Sequence, residues 1–248
     1  MANFYLVEEL DSANVGDEIV LGASESRHIV TVSRTRVGDR LAVGNGRGLA
    51  VHGTVLSAAP DAVVVRVEAA VSTPPVRPRV ILVQALAKGD RDELAIQAAT
   101  ELGVDAVVPW SAARSVSRWD GQKAVKGRER WAAIVREATK QSMRPWLPVV
   151  EALAVTADLE RHAGQRRMLV LEPRAELALS ALVLHDRDRP DDRDLELIVG
   201  PEGGITDQEL VRLVAAGARP VRLGGTILRT STAGPAAIAV LNALLGRW

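Results

Sequence analysis

The stretch "LIVGPEGGITDQEL" at residues 197–210 joins an apolar strand to a glycine-rich turn and the start of a helix. Such turns often bind a ligand, because glycine lets the backbone approach it closely. A phosphate-binding loop would continue with Lys-Ser/Thr, and no lysine follows here. A dinucleotide-binding turn requires G-x-G-x-x-G and an acidic residue about 20 positions further on, near Val221 and Arg222 in this chain. Neither ligand class fits, so the turn predicts a ligand of another kind.

Composition limits the possible classes of protein. A chain of 248 residues, 47% of them hydrophobic, suits one large domain or a small domain beside a medium one. The absence of cysteine excludes disulfides and thiolate chemistry and is typical of a reducing compartment. The acidic start and the lack of a long uncharged apolar run argue against a signal peptide and a membrane span, so we expect a cytoplasmic protein. We expect no metal site, because the histidines are widely spaced: His28, His52, His162 and His185.

The net charge is zero, but the basic residues are clustered. Between Trp110 and Trp146 there are nine basic residues and three acidic ones. A second basic cluster spans residues 27–47. Separate basic patches on a neutral protein favour local contacts with a polyanion, although each patch alone could be a solvated surface. On the helix predicted in the first cluster, the cations four apart lie opposite the apolar face: Arg136, Lys140 and Arg144.

Two different patterns divide the chain. Residues 1–72 contain short strands separated by turn residues, which predicts a small β-barrel or sandwich. The proline-rich residues 73–79 predict a linker. From residue 80 to 248, strands alternate with helices, which predicts an α/β domain with a largely parallel sheet covered on both faces. Ligands bind beyond the carboxyl ends of such strands, where both Gly200 and Gly224 are expected.

A second glycine-rich corner is "LGGTILRTSTAGPAAIAVLNALLG" at residues 223–246, which leads into a helix expected at about 232–245. Two such corners with apolar residues and no phosphate-binding lysine suit a ligand made mostly of adenine and amino acid. Backbone groups can bind the adenine edge, while Ile227 and Leu228 cover its face. The alternative is two purely structural turns.

Four blocks together resemble the bacterial 16S rRNA uridine-N3 methyltransferases, the ribosomal small-subunit methyltransferase E family of the SPOUT superfamily. They are "QALAKGDRDELAIQAATELGV" (84–104), "ERWAAIVREATKQSMRP" (129–145), "GPEGG" (200–204) and "LG…ILRTxTA" (223–233). In addition, "HIVTVSR" and "GDRLAVGNGRG" resemble the family's PUA-like RNA-binding domain. The resemblance implies a PUA-like β-barrel over 1–72 and a SPOUT domain over 80–248 with a deep trefoil knot that binds S-adenosylmethionine.

The resemblance also implies the cofactor-binding residues. The first loop supplies Ile198, Gly200, Glu202, Gly203 and Gly204, and the second supplies Leu223, Gly224, Ile227, Leu228, Arg229 and Thr230. Two positions depart from the family, which commonly has Glu where Ser231 stands and often Lys where Ala98 stands.

The implied reaction is methylation of N3 of a uridine in the decoding region of 16S rRNA. N3 must lose its proton before it can attack, so the site needs alignment, deprotonation and stabilisation of the uracil anion. Arg229 is the catalytic candidate for stabilising a uracil oxygen, although it could instead pair with Glu202 or a cofactor carboxylate. Glu202 is the candidate proton acceptor. The target base must be unpaired or flipped out.

The implied partners are the small ribosomal subunit and a second copy of the chain, bound through the knot and the apolar final helix. Two other functions stay open: a non-catalytic RNA-binding or ribosome-assembly protein, and a knotted methyltransferase acting on tRNA. The candidate RNA-binding residues are Arg27, His28, Arg34, Arg36, Arg136, Lys140 and Arg144.

Overall fold

The computed structural model describes residues 4–184 and 191–248, so His185 lies outside the described residues. The chain forms two compact units. The first contains the described residues up to Pro75 together with Thr139–Leu147. The second contains those of Val76–Ala138 and Pro148–Trp248. The first unit therefore includes a segment that the predicted boundaries place far inside the second domain.

The first unit is built on a five-stranded sheet with the order β1-β3-β4-β5-β2. β1 runs parallel to β3, and the other pairs are antiparallel. Its strands are β1 (Phe4–Leu6), β2 (Glu18–Leu21), β3 (Arg40–Gly44), β4 (Leu49–Ala58) and β5 (Val63–Ser72). A short helix α1 (Ala23–Arg27) and a π-helical turn (His28–Val32) follow β2.

β2 and β4 and the first half of β5 alternate buried and more exposed residues, whereas β3 is buried at every residue after Arg40. Val55, Val63 and Val65 are fully buried between them. The first strand and the helical turns were not predicted. In the described part of the chain, β1 and β2 are edge strands that do not pair with each other, so backbone hydrogen bonds do not close the sheet into the predicted barrel.

The segment Thr139–Leu147 belongs to the first unit because its backbone and side chains bond there. The amide of Gly48 donates to the carbonyl of Pro145 at 2.9 Å, and the amide of Leu147 donates to Gly46 at 2.9 Å. The indole N–H of Trp146 donates to the carbonyl of Thr73 at 2.9 Å. Contacts between residues so distant in sequence cannot be read from local patterns, so the predicted boundaries omit this segment.

The second unit contains a six-stranded, wholly parallel sheet with the order β11-β9-β10-β6-β7-β8. The parallel sheet was predicted, except for its two-residue edge strand β8. β6, β7 and β10 are buried along their whole length, which explains their nearly continuous apolar sequences. The strands are β6 (Val80–Ala85), β7 (Ala106–Trp110), β8 (Val149–Val150), β9 (Arg167–Leu171), β10 (Leu195–Val199) and β11 (Arg219–Val221).

Helices connect these strands. Thr206 and Glu209 form a capping box at the start of α5. Asp90 occupies the N-cap position of α2, but its side chain makes no cap hydrogen bond. The last helix begins at Thr230, two residues before the expected position. The helices are α2 (Arg91–Glu101), α3 (Gln122–Gln141), α4 (Thr156–Glu160), α5 (Asp207–Ala215) and α6 (Thr230–Leu244).

Candidate functional site

The carboxyl ends of β9, β10 and β11 border a cavity of about 420 Å³. In the sheet, β9 lies between β10 and β11, so three chain segments far apart in sequence leave the sheet side by side. The parallel direction of the strands puts all three carboxyl ends on the same edge. The cavity is lined mainly by residues 171–173, 199–202, 204–205, 221–224 and 226–230.

The first glycine corner, residues 200–205, is a tight turn after β10. The amide of Gly204 donates to the carbonyl of Pro201 at 2.8 Å, and Gly204 has a φ of +72°, which glycine adopts without strain. Gly200 is needed for space, because a Cβ there would lie 2.7 Å from Cγ1 of Ile205. The corner thus requires glycine at two positions for different reasons.

Glu209 in α5 anchors the helix that follows this corner. One carboxylate oxygen accepts from the amide of Ala113 at 2.8 Å and the hydroxyl of Thr156 at 3.0 Å, and the other accepts from the hydroxyl of Thr206 at 2.7 Å. Burial alone would raise the pKa of Glu209, but these donors outweigh it and hold the pKa below its ordinary value. The carboxylate therefore stays ionised while it is buried.

The second glycine corner, residues 223–229, is open. No heavy atom lies within 4 Å of the position that a Cβ would take at Gly224 or Gly225. Ile227 is 82% exposed although it lines the cavity. Exposed apolar surface beside an open backbone is typical of a ligand pocket.

A hydrogen-bond chain joins the two corners. The hydroxyl of Thr230, at the start of α6, donates to the carbonyl of Gly200 at 2.8 Å. The side-chain amide of Gln84, fully buried at the end of β6, donates to the same hydroxyl at 2.8 Å. Thr230 therefore fixes the second corner against the first.

Glu202 lies at the cavity and is paired. Its carboxylate accepts from Arg91 at 2.8 Å and from the amide of Lys88 at 3.1 Å. Partial burial raises the pKa of Glu202, but hydrogen bonds from its own amide, Arg91 and Lys88 outweigh this and lower the pKa. A carboxylate with a lowered pKa is a weak base.

Comparison with known proteins assigns the chain to a protein family. Residues 74–242 match a family model described as an RNA methyltransferase domain, and residues 20–68 match one described as an RNA methyltransferase PUA domain. The ribosomal RNA small subunit methyltransferase E of Mycobacterium bovis is 42% identical over 245 residues, covering 95% of this chain and 90% of that protein. The chain belongs to the ribosomal RNA small subunit methyltransferase E family.

Two further members of this family agree with the assignment. The methyltransferase E of Bacillus subtilis is 33% identical over 222 residues, covering 88% of this chain and 87% of that protein. A crystal structure of the methyltransferase E from Neisseria gonorrhoeae, bound to S-adenosyl methionine, has a TM-score of 0.86 at 28% identity and covers 98% of each chain. The predicted family membership is confirmed over almost the entire chain.

The structure brings most residues of the two family loops together at one cavity. Ile198 does not reach it, because it is fully buried in the hydrophobic core below the strand end. Gly203 also lies off the wall, and its carbonyl accepts from Arg114 at 3.0 Å. The predicted residues that line the cavity are Gly200, Glu202, Gly204, Leu223, Gly224, Ile227, Leu228, Arg229 and Thr230.

The sequence patterns missed the third side of the cavity. Leu171 ends β9, Glu172 and Pro173 follow it, and Arg91 and Arg222 also line the cavity. The apolar run before "EP" indicates a strand, but sequence patterns did not indicate that this strand lies between the two glycine corners. The sequence patterns did not give the order of β9, β10 and β11 in the sheet, which places these residues at the cavity.

The predicted RNA-binding residues do not form a uniform surface. Arg27, His28, Arg34 and Arg36 are exposed on the first unit, and Arg136 and Arg144 are half-buried. The prediction that Lys140 lies on an exposed stripe is wrong. Lys140 is buried, its ammonium group lies 3.1 Å from the carboxylate of Glu25, and it contacts the ring of Tyr5. A buried, paired lysine is a structural residue.

The described residues also bear on two other classes of site. No group of three or more His, Asp or Glu side chains there is arranged to hold a metal ion. No helix there is both long and apolar enough to cross a membrane.

Proposed function

We propose that this chain uses S-adenosylmethionine to methylate N3 of a uridine in the decoding region of 16S rRNA. The main support is the single cavity formed by both glycine corners at the carboxyl edge of the parallel sheet. Membership of the methyltransferase E family supports the same reaction class. The S-adenosyl methionine bound to the similar protein from Neisseria gonorrhoeae supports the cofactor.

The residues of the cavity fit this cofactor. The open Cβ positions at Gly224 and Gly225 let backbone groups approach a flat ring, and Ile227 and Leu228 offer apolar contact to its faces. Thr230 would contribute by holding the two corners together, since its hydroxyl already bonds to Gly200 and Gln84. When bound, the cofactor supplies a methyl group on a positively charged sulfonium.

Arg229 is the residue that we assign to the uracil. It is exposed, lines the cavity, and forms no ion pair with any residue in the described ranges. The alternative partner, Glu202, is already bonded to Arg91. An unneutralised guanidinium can donate to a uracil oxygen and stabilise the anion that forms when N3 loses its proton.

Glu202 is better suited to positioning than to accepting that proton. Arg91 and the amide of Lys88 lower its pKa, which weakens it as a base. Its carboxylate instead joins the first glycine corner to the segment before α2. We therefore propose Glu202 as a positioning residue.

We propose that RNA binding involves the PUA-like unit and that the target uridine is unpaired or flipped. Arg27, His28, Arg34 and Arg36 are exposed cations or potential cations on that unit. Phosphates dominate the affinity of proteins for nucleic acid, which favours such residues. A paired uridine hides N3 in its base pair, so the base must leave the helix.

We also propose the trefoil knot and a homodimer, both implied by the family. Gly234, Ala237, Ile238 and Leu241 are buried in α6, whereas Ala236, Ala239, Val240 and Leu244 are only partly buried. A second copy could cover them. Sedimentation at micromolar concentration should give a dimer, and a monomer would contradict this part of the proposal. Tracing the backbone in an experimental structure tests the knot.

The deciding experiment is mass spectrometry of ribosomal nucleosides from cells lacking the protein. We expect 3-methyluridine to disappear from 16S rRNA and to return with the wild-type gene, but not with Arg229→Ala. Loss of a modification from tRNA instead would favour the tRNA methyltransferase. Unchanged nucleosides together with no binding of S-adenosylmethionine in calorimetry would favour the non-catalytic RNA-binding protein.

A further inference from the structure

Glu172 places an acidic side chain in the wall of the cavity. It is the first residue after β9, the strand that lies between the two strands leading into the glycine corners. Its amide donates to the carbonyl of Val221 at 3.0 Å, which fixes its backbone to the neighbouring strand. The residue is only 8% exposed. A carboxylate so deeply placed in a pocket needs a partner.

Half of this carboxylate has no partner among the residues that the structure describes. Oε1 accepts from the amide of Arg174 at 3.1 Å and from its guanidinium at 2.8 Å. Oε2 accepts no hydrogen bond from any residue of the described ranges. Because Glu172 lines the cavity, a bound ligand can supply the missing donors.

A nucleoside offers suitable donors, since its ribose carries two neighbouring hydroxyl groups. In doubly wound sheets that bind dinucleotides, an acidic residue accepts a hydrogen bond from a ribose hydroxyl. Val221 and Arg222 stand where that residue would be expected after the first glycine corner. We infer that Glu172, supplied by the adjacent strand β9, binds the ribose hydroxyls of the cofactor. This inference rests on the proposed function.

The sulfonium of the cofactor is the other group that a carboxylate could attract. Arg174 argues against an interaction of Glu172 with the sulfonium. The guanidinium of Arg174 lies 2.8 Å from Glu172 and already compensates the charge of that carboxylate. An ion pair exerts a weaker field on a distant cation than a lone carboxylate does. The lone pairs of Oε2 remain directional acceptors, which suits hydroxyl groups.

Calorimetry with S-adenosylmethionine and S-adenosylhomocysteine tests the inference, because only the first carries the sulfonium. We compare wild type with Glu172→Gln, which keeps the shape but presents an N–H₂ group in place of an acceptor. Hydrogen bonds to a charged group predict a loss of roughly 10- to 100-fold in affinity, equal for both ligands. The matched control is Asp207→Asn, because Asp207 also pairs with Arg174 but does not line the cavity. It should bind both ligands like wild type.

A second measurement addresses the ribose directly. Competition against S-adenosylhomocysteine should show that wild type prefers adenosine to 2′-deoxyadenosine or 3′-deoxyadenosine, and that Glu172→Gln loses this preference. If Glu172→Gln fails to fold, Glu172→Asp, which withdraws the carboxylate by one methylene, should show the same two losses.

Three results would overturn the inference. They are unchanged binding of S-adenosylhomocysteine by a folded Glu172 variant, a loss confined to S-adenosylmethionine, and an unchanged preference for the ribose hydroxyl groups. If wild type itself binds neither cofactor form, the proposed function fails as well. Binding by wild type with no effect at Glu172 overturns the ribose assignment alone.

Discussion

The hydroxyl of Thr230 lies 2.8 Å from the carbonyl oxygen of Gly200, to which it donates. These residues are 30 positions apart, and each belongs to a different glycine corner. The bond places the first turn of α6 directly against the end of β10. This partly buried hydrogen bond therefore helps to fix the shape of the cavity.

We predict that Thr230→Val weakens cofactor binding. The methyl group that replaces the hydroxyl removes the donor to the carbonyl of Gly200 and one of the two acceptors of the Gln84 amide, which should also lower the free energy of unfolding by about 1–3 kcal/mol. Calorimetry and urea unfolding measure the two effects. Thr230→Ser keeps the hydroxyl and serves as control. Wild-type affinity in Thr230→Val would contradict the proposed link between the corners.

The two glycine corners should respond differently to valine. Gly224→Val should fold normally but lose S-adenosylmethionine binding, because its Cβ occupies space that is empty of protein atoms. Gly200→Val should lose thermal stability, because its Cβ would lie 2.7 Å from Ile205. Thermal unfolding and calorimetry separate the two outcomes. Unimpaired binding by folded Gly224→Val would exclude the second corner from the cofactor site.

The free energy of unfolding should depend on pH through the ionisation of Glu209. Its pKa is lowered in the folded state, so its stabilising effect is complete above the unfolded pKa of about 4.3 and is lost as the pH falls through the folded value. Glu209→Gln should lower the free energy of unfolding by about 1–3 kcal/mol at pH 7, and this difference should shrink towards pH 3. Urea unfolding across pH measures it, with the exposed Glu101→Gln as control. A difference independent of pH would contradict the assigned role.

RNA binding should be separable from cofactor binding. Arg34→Glu with Arg36→Glu should weaken RNA affinity and reduce the logarithmic salt slope by roughly 0.9 for each lost phosphate contact. S-adenosylmethionine affinity should not change. Lys140→Met should instead destabilise the protein, because it removes the buried ammonium group that lies 3.1 Å from the carboxylate of Glu25. An unchanged salt slope in the double variant would identify the Arg34–Arg36 patch as solvated surface.

Local sequence patterns predicted most of the secondary structure. The apolar runs of β6, β7 and β10 and the capping box at Thr206 depend on neighbouring residues alone, and all are present. β1 and β8 were missed because strands of three and two residues are too short to show a period. Lys140 was misassigned because helical spacing predicts its face on α3 but not what covers that face.

The candidate site was predicted in part. Glycines that follow predicted strands indicate where the chain can approach a ligand, which located both corners. Glu172 gave no such signal, since an acidic residue after a strand is common. Its place in the cavity depends on β9 lying between β10 and β11, which residue spacing did not specify.

By itself, the sequence determined the alternation of strands and helices, the glycine positions at strand ends and the family. These features are set by the periodicity and side chains of short segments. Only the tertiary structure decided that Thr139–Leu147 belongs to the first unit and that Glu172 lies in the wall of the cavity that both corners line. Strand order and such pairings arise from contacts between distant residues, whose free energies depend on packing in three dimensions.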